Sequence, residues 1–93
     1  MFDRVLKGMR ELVRTRNYVM TVHAENEMDV DGLSISDVER VILTGHITQR
    51  QQDRASGRWK YLVTGQSIAG DPATVVAKVS PTGRLVFITV FRE

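Results

Sequence analysis

The apolar residues of this chain change their spacing once, at Gly45, and this change limits the folds open to it. Before Gly45 the apolar positions recur every three or four residues, which is typical of amphipathic helices. After Gly45 they alternate or form nearly unbroken apolar runs, which is typical of strands. Helices first and strands afterwards favour an α+β fold, in which the helices cover one face of an antiparallel sheet.

The first half of the chain predicts two to three helices. Apolar residues at helical spacing run through residues 2–16, and Thr21 is suited to cap a second helix over residues 22–29. Ser36 and Glu39 have the spacing of a capping box, in which each side chain bonds the backbone of the other residue. They predict the start of a third helix, which would end at the glycine before the strands.

The second half predicts an antiparallel meander of about four strands. The segments are residues 46–52, 58–68, 73–79 and 85–91. The first has one strong apolar residue, which indicates an exposed edge strand, and the last two are apolar enough to lie centrally. In the second segment, alternation sends Trp59 and Tyr61 toward the helices and Arg58 and Lys60 toward the uncovered face.

Length and composition limit the class of protein. With 93 residues, of which 42% are hydrophobic and 26% charged, the chain predicts one ordinary globular domain over residues 1–93. The absence of cysteine excludes disulfides and thiolate metal sites. No apolar run approaches the roughly 20 residues of a membrane helix, and the N-terminus lacks the layout of a signal peptide. We therefore expect a cytoplasmic protein that does not enter membranes.

Charge is distributed in blocks along the chain. Residues 1–16 carry five basic and two acidic side chains, residues 17–45 one basic and six acidic, and residues 46–93 seven basic and three acidic. A polyanion could bind the basic surface, and a basic partner the acidic one. An ordinary solvated surface would give the same pattern, so charge alone does not decide between them.

The uncovered face of the sheet is the predicted place for a phosphate backbone. Arg58 and Lys60 should project from it, and arginine and lysine both bind phosphate oxygens. The further residues predicted to contact RNA are Arg50, Arg54, Lys78 and Arg84. An uncovered face must be polar in any case, so these residues also fit a solvated surface without a ligand.

His23 is the candidate acid or base. An imidazole titrates near neutral pH, and imidazole with guanidinium and ammonium groups can cleave a phosphodiester. A lone histidine on an amphipathic helix is, however, more often structural or simply exposed. His23 and Glu27 have the i,i+4 spacing of metal ligands, but no second histidine is suitably placed. We therefore expect no metal and no other cofactor.

Several short motifs occur in an order that resembles one known family. They are Tyr18, Thr21-Val22-His23-Ala24, Met28, Leu33-Ser34-Ile35-Ser36-Asp37-Val38, Val41-Ile42 with Gly45, Gly57-Arg58 with Tyr61, and Ile88-Thr89-Val90-Phe91. Over residues 17–92 this pattern resembles domain of unknown function 4258, a family of small bacterial proteins. The motifs are spread along the chain, so the specificity of the resemblance comes from their order and spacing together.

The resemblance implies a fold, an activity and a partner. The family is grouped with RelE-like and barnase-like toxins, in which N-terminal helices pack on an antiparallel sheet. Such proteins cleave RNA without a metal and are neutralised by a cognate antitoxin, in some cases one with a zinc-finger domain. His23, Arg58 and Thr89 match the family's helical histidine, strand arginine and final-strand threonine. Members often carry arginine near the position of Glu27, so this chain reverses a charge there.

The leading hypothesis is a metal-independent endoribonuclease, similar to mRNA interferases, from a bacterial toxin–antitoxin pair. The ribose 2′-hydroxyl would attack the adjacent phosphorus, with His23 as general acid or base. Arg58 and Lys60 would stabilise the charge that develops on the phosphoryl oxygens. Tyr61 and Thr89 would offer hydroxyls, although alternation turns Tyr61 inward and a strand threonine is more often structural. These groups converge only if His23 lies at the margin of the sheet.

Two other functions fit the same residues. A non-catalytic module of the same fold would bind protein or RNA without cleaving it, and the reversed charge at Glu27 favours that alternative. A structural subunit would self-associate through the exposed edge strand at residues 46–52, because an unpaired strand edge is a template for pairing with another copy.

Overall fold

In the computed structural model, which describes residues 2–93, three helices and five strands form an α+β fold. The helices are α1 (Asp3–Arg14), α2 (Val22–Asp31) and α3 (Ile35–Thr44). The strands are β1 (Tyr18–Met20), β2 (His46–Gln52), β3 (Trp59–Gln66), β4 (Pro72–Val79) and β5 (Leu85–Arg92). The sheet order is β1-β5-β4-β3-β2, with β1 parallel to β5 and the other neighbours antiparallel. The expected α+β fold and the four-strand meander β2–β5 are confirmed.

The fifth strand, β1, was not expected from the sequence. It is three residues long, and Tyr18 lies opposite Leu85 in the last strand. Three residues are too few to show an alternating pattern, and their partner lies near the other end of the chain. The sheet is therefore mixed rather than purely antiparallel.

All three helices cover the same face of the sheet. Val63, Val75 and Val90 lie side by side in the strand register and are buried, so they mark the covered face. Met9 of α1 and Val38 of α3 are fully buried in the same cluster. No helix within residues 2–93 is long and apolar enough to cross a membrane.

The capping box of α3 is displaced from its predicted position. Ser34, not Ser36, accepts a hydrogen bond from the backbone N–H of Asp37, and the Asp37 carboxylate accepts from the N–H of Ser34. The carboxylate also accepts the N–H of Ile68 at 2.9 Å, beyond the end of β3. These backbone bonds lower the pKa of Asp37. Two spacings in the sequence satisfy the motif, and this long-range contact favours the earlier one.

Arg10 joins α1 to the end of α3. Its Nε donates to the carbonyl oxygen of Ile42 at 3.0 Å, and its Nη2 donates to that of Gly45 at 2.8 Å. These carbonyls belong to the last turn of α3, where the helix leaves backbone acceptors without partners and where a positive charge is favourable. Arg10 therefore fixes the angle at which the two helices meet.

Helix α2 covers the free edge of β5 beyond the end of β1. Thr21 donates its hydroxyl to the carbonyl oxygen of Ile88 at 3.0 Å. Glu27 accepts the N–H of Val90 at 3.1 Å, and Asp31 accepts the N–H of Arg92 at 3.0 Å. The two carboxylates are spaced like the two N–H groups, because four residues of a helix rise about 6 Å and two residues of a strand about 7 Å. The two carboxylates thus replace a neighbouring strand.

The Tyr18 hydroxyl makes the stability of the fold depend on pH in the alkaline range. This hydroxyl donates to Glu39 Oε2 at 2.7 Å. Burial, together with the hydrogen bond and the charge of Glu39, raises its pKa from 10.0 to about 12. The unfolded chain therefore loses this proton first, so the stabilisation is complete below pH 10 and is lost as the pH rises toward about 12.

We expect the free energy of unfolding to fall over that interval, and Tyr18→Phe to remove part of the fall. Urea unfolding of both proteins at several pH values measures the two slopes. Equal slopes would show that the hydroxyl does not titrate in this way.

Candidate functional site

A cavity of about 690 Å³ lies between α1 and one end of the sheet. Helix α1 contributes Arg4, Val5, Gly8, Met9, Glu11 and Leu12 to its wall, and the sheet side contributes Arg58, Trp59, Tyr61 and Val79. The size is within the usual range for small-molecule sites, and the floor is mainly apolar with charged groups among its lining residues. We call this the α1/β3 cavity.

The geometry of α1 explains why the cavity exists. Residues four and eight places along a helix share one side, so the lining residues of α1 form one stripe centred on Gly8. A Cβ built at Gly8 meets nothing within 4 Å. Packing therefore does not require glycine there, and the missing side chain leaves the space open.

An aromatic cluster lies at the same end of the sheet. The guanidinium carbon of Arg50 is 4.0 Å from the centroid of the Trp59 ring and 5.8 Å from that of Phe2. Phe2 meets Tyr61 edge to face, with ring centroids 5.9 Å apart. These contacts are of the cation–π and aromatic types that also bind unstacked bases.

The prediction that Arg50 lies on the uncovered face is wrong. Arg50 is opposite Tyr61 in the register of β2 and β3, and cross-strand partners point to the same side. Tyr61 packs against the core beneath the helices. A bulge at Thr48, between Ile47 and Gln49, shifts the register of β2 by one residue. Such a shift reverses the side on which every later side chain lies.

The uncovered face of the sheet carries fewer of the predicted phosphate-binding residues than expected. Lys60 and Lys78 do lie on the uncovered face, because each neighbours a residue that points to the core. Lys78, however, forms an ion pair with Asp53 at 3.2 Å. The N–H of Ala55 and the ammonium of Lys78 together lower the pKa of Asp53, which holds the β2–β3 turn. The charge of Lys78 is therefore largely balanced by Asp53.

The other predicted cations lie elsewhere. Arg54 is exposed in the β2–β3 turn, and Arg84 is exposed just before β5. Arg58 precedes β3, is exposed, and is among the residues that line the α1/β3 cavity with Trp59 and Tyr61. Because Arg58 lies outside the strand, alternation does not fix the direction of its side chain. Tyr61 points inward, as alternation predicted.

His23 lies apart from this cavity. Its side chain is 68% exposed, and its Nε2 is 3.2 Å from Glu27 Oε1. It borders a groove that runs along α2 and is formed by His23, Asn26, Glu27, Val30 and Asp31. The bond from Val90 to the same Glu27 oxygen gives this carboxylate a structural role.

His23 and Arg58 do not converge. Extending the register places the start of β3 level with Leu85, two strands across from β5 and five residues before Val90. With strands about 4.8 Å apart and about 3.3 Å per residue, the start of β3 is roughly 20 Å from Val90, beside which His23 lies. A single phosphate cannot contact both side chains.

Thr89 also lies away from the cavity. It is opposite Val76, half-buried, and on the uncovered side of β5. The predicted catalytic set is thus divided into three places. Arg58 and Tyr61 line the α1/β3 cavity, His23 lies on α2 at the edge of β5, and Lys60 and Thr89 lie on the uncovered face, in β3 and β5 respectively.

Of the ten residues that line the cavity, the sequence predicted only Arg58 and Tyr61 as site residues. Arg4, Gly8 and Glu11 all lie on α1, whose apolar stripe identified it only as a core helix. One available signal was Gly8 itself, since a glycine inside a helix costs roughly 1 kcal/mol relative to alanine. Within residues 2–93 no three His, Asp or Glu side chains are grouped so that they could hold a metal ion.

Comparison with known families gives one match. Residues 20–92 match the model of a domain of unknown function, DUF4258. The chain belongs to the DUF4258 family. No match was found among the curated proteins or the solved structures. The matched residues begin at Met20, so α1, and with it one wall of the α1/β3 cavity, lies outside the part shared with the family model.

Proposed function

We propose that this DUF4258 protein is a toxin-type endoribonuclease that binds single-stranded RNA at the α1/β3 cavity and cleaves it without a metal. The observation that carries the proposal is that two arginines, a glutamate, a tyrosine and a tryptophan are among the residues that line one cavity. They are Arg4, Arg58, Glu11, Tyr61 and Trp59.

Binding follows from the charges and rings at this end of the sheet. In this proposal Arg4 and Arg58 bind phosphate oxygens, since a guanidinium can donate two hydrogen bonds to one phosphate. The Trp59 ring offers a stacking surface for a base. Single-stranded RNA has accessible bases and flexible phosphates, so it suits a cavity at the end of a sheet better than a duplex does.

Cleavage needs a base, an acid and a stabiliser of negative charge. Glu11 takes the proton of the ribose 2′-hydroxyl, and the 2′ oxygen attacks the adjacent phosphorus. The bond to the 5′ oxygen breaks, and the Tyr61 hydroxyl gives that oxygen a proton, leaving a 2′,3′-cyclic phosphate and a 5′-hydroxyl. Arg4 and Arg58 stabilise the charge on the phosphoryl oxygens. Glu11 is free for this role, because its ion pair with Arg14 is exposed and long, at 3.7 Å.

The test is cleavage and binding of a fluorescent single-stranded RNA in EDTA. Glu11→Gln is expected to lower the cleavage rate by on the order of 10²–10⁴ while RNA affinity is kept. Arg58→Ala is expected to weaken binding about tenfold, with a smaller salt dependence. His23→Ala is the matched control and is expected to cleave at the parent rate.

Two outcomes contradict this assignment. If Glu11→Gln and Arg58→Ala cleave as fast as the parent, the α1/β3 cavity is not the active site. If only His23→Ala loses cleavage, the role that the family resemblance implies for His23 is correct and the catalytic centre lies at the edge of β5.

A non-catalytic RNA-binding module is the second candidate, and the separation of His23 from Arg58 favours it. The same assay distinguishes the two functions. Salt-dependent retention of RNA without any cleavage product supports the binding module.

The proposal also includes a cytoplasmic location, which the composition of the chain favours, and a cognate antitoxin, which the family resemblance implies. Expression in a bacterial host tests this part. Growth arrest with the parent protein, relieved by Glu11→Gln, supports a toxin, and unchanged growth with soluble, folded protein contradicts it.

A further inference from the structure

We infer that the α1/β3 cavity is a pocket for one unstacked RNA base, and that Gly8 is the residue that keeps it open. The inference rests on the proposed function, because it identifies which part of the RNA enters the cavity. Phosphate contacts at its charged residues give affinity, and the pocket itself adds a requirement for a base.

Gly8 is the first line of support. It lies in the middle of α1, where glycine is unfavourable, and its absent side chain faces empty space rather than another element. Elsewhere in the chain glycines have a structural reason, as at Gly45 and Gly65, where the backbones of two elements nearly touch. At Gly8 the loss of helix stability is not offset by closer packing, and the absent side chain leaves room beside Trp59 and Tyr61.

The chemistry of the wall is the second line of support. Val5, Met9 and Leu12 form an apolar floor, and Trp59 and Tyr61 stand opposite. An apolar slot with aromatic rings fits a planar, uncharged ring. Arg4 and Arg58 are also among the lining residues, so the ligand should combine such a ring with a nearby negative charge. A nucleotide within a single strand has this combination.

The position of Arg50 is the third line of support. Its guanidinium covers the Trp59 ring at 4.0 Å, which fixes the indole beside the cavity and adds positive charge next to it. An exposed indole would otherwise change rotamer freely. A ring held in place loses less conformational entropy when a base stacks on it.

Trp59 also provides the readout, because it is the only tryptophan in the sequence. The protein used as parent in this experiment carries Glu11→Gln, which should prevent cleavage. Its tryptophan fluorescence is recorded while it is titrated, in EDTA, with an RNA oligonucleotide. The comparison ligand is an abasic oligonucleotide of the same length. We expect RNA to quench the fluorescence and to bind at least about tenfold more tightly than the abasic strand.

Gly8→Leu in the same background should fill the pocket. It is expected to reduce the preference for RNA over the abasic strand to less than about twofold, and to leave binding of the abasic strand unchanged. Gly8→Ala should have an intermediate effect. Ser36→Leu, an uncharged and exposed position on α3, is the control and should keep the full preference. Leucine and alanine favour helices more than glycine, so both Gly8 variants should melt at or above the parent temperature.

The outcomes separate the two claims. Equal binding of RNA and abasic strand by the parent, or an unchanged preference in a folded Gly8→Leu, overturns the base pocket while RNA binding stands. Failure of the parent to bind either strand overturns the proposed function itself.

Discussion

Replacement of Gly45 by alanine is expected to lower the free energy of unfolding by about 3 kcal/mol, because a methyl group there collides with two backbones. The added Cβ would lie 2.5 Å from the carbonyl oxygen of Val41 and closer still to that of Thr64. Neither atom is at the end of a flexible side chain. The collision could be relieved only if α3 moved away from β3, and these two elements are closely packed against each other.

Backbone conformation does not contribute to this effect. Gly45 has φ −86° and ψ −163°, which other residues adopt without strain. The requirement for glycine comes from the approach of the Thr64 and Val41 carbonyl groups, and the contact is equally close from the other side, since a Cβ added at Gly65 would lie 3.0 Å from the Cα of Gly45. The site is further constrained by Arg10, which donates to the Gly45 carbonyl oxygen.

Urea unfolding followed by circular dichroism measures the effect, and Gly8→Ala is the matched control. The same added methyl at Gly8 meets open space, so that variant is expected to gain up to about 1 kcal/mol. A Gly45→Ala protein within 0.5 kcal/mol of the parent would mean that α3 and β3 are not in the contact described above.

The second large effect is expected at Glu27. Glu27→Ala should lower the free energy of unfolding by roughly 1–3 kcal/mol, because the N–H of Val90 loses its acceptor. Val90 is buried and follows the segment of β5 that pairs with β1, so no strand can replace the carboxylate on that side. Glu27→Gln keeps an oxygen at the same place and should lose less.

His23→Ala is the control for Glu27→Ala and should change the free energy of unfolding by less than about 0.5 kcal/mol, since the imidazole is largely exposed. Thermal and urea unfolding of the three variants give the comparison. If Glu27→Ala is as stable as the parent, the carboxylate does not hold β5 to α2, and its charge must be explained by a ligand instead.

The result at Glu27 bears on function as well as stability. The family resemblance places arginine near this position in many members, and a reversed charge beside His23 disfavours an anion there. The structure gives the carboxylate a backbone partner, which accounts for it without any substrate. The charge reversal is therefore better explained by the closing of a sheet edge than by a change in catalysis.

Much of the fold was predictable because it is encoded locally. The cap at Thr21 and the third helix that ends at Gly45 follow from short-range rules, and the structure confirms them. The four strands after Gly45 also follow from alternation and turn residues. Ser34 rather than Ser36 begins α3, because only a long-range bond from Ile68 separates two equivalent spacings.

The candidate site was less predictable, for a geometric reason. A prediction from alternation assigns each side chain to one face of the sheet. The extra residue in β2 places Arg50 on the other face. Arg58 precedes β3, so alternation does not apply to it. Arg4 and Glu11 looked like the solvated side of a core helix. Their relation to Trp59 depends on where α1 lies over the sheet, which no local spacing specifies.

The amino-acid sequence by itself determined the order of the three helices and of the four strands after Gly45, and the cap at Thr21, since these depend on neighbours within a few positions. The tertiary structure alone decided that β1 pairs with β5, that α2 closes the edge of β5, and that His23 lies beside Val90, roughly 20 Å from the start of β3. Each of these depends on contacts between distant parts of the chain. Such contacts are selected by packing of the whole core, so no short segment of the sequence contains them.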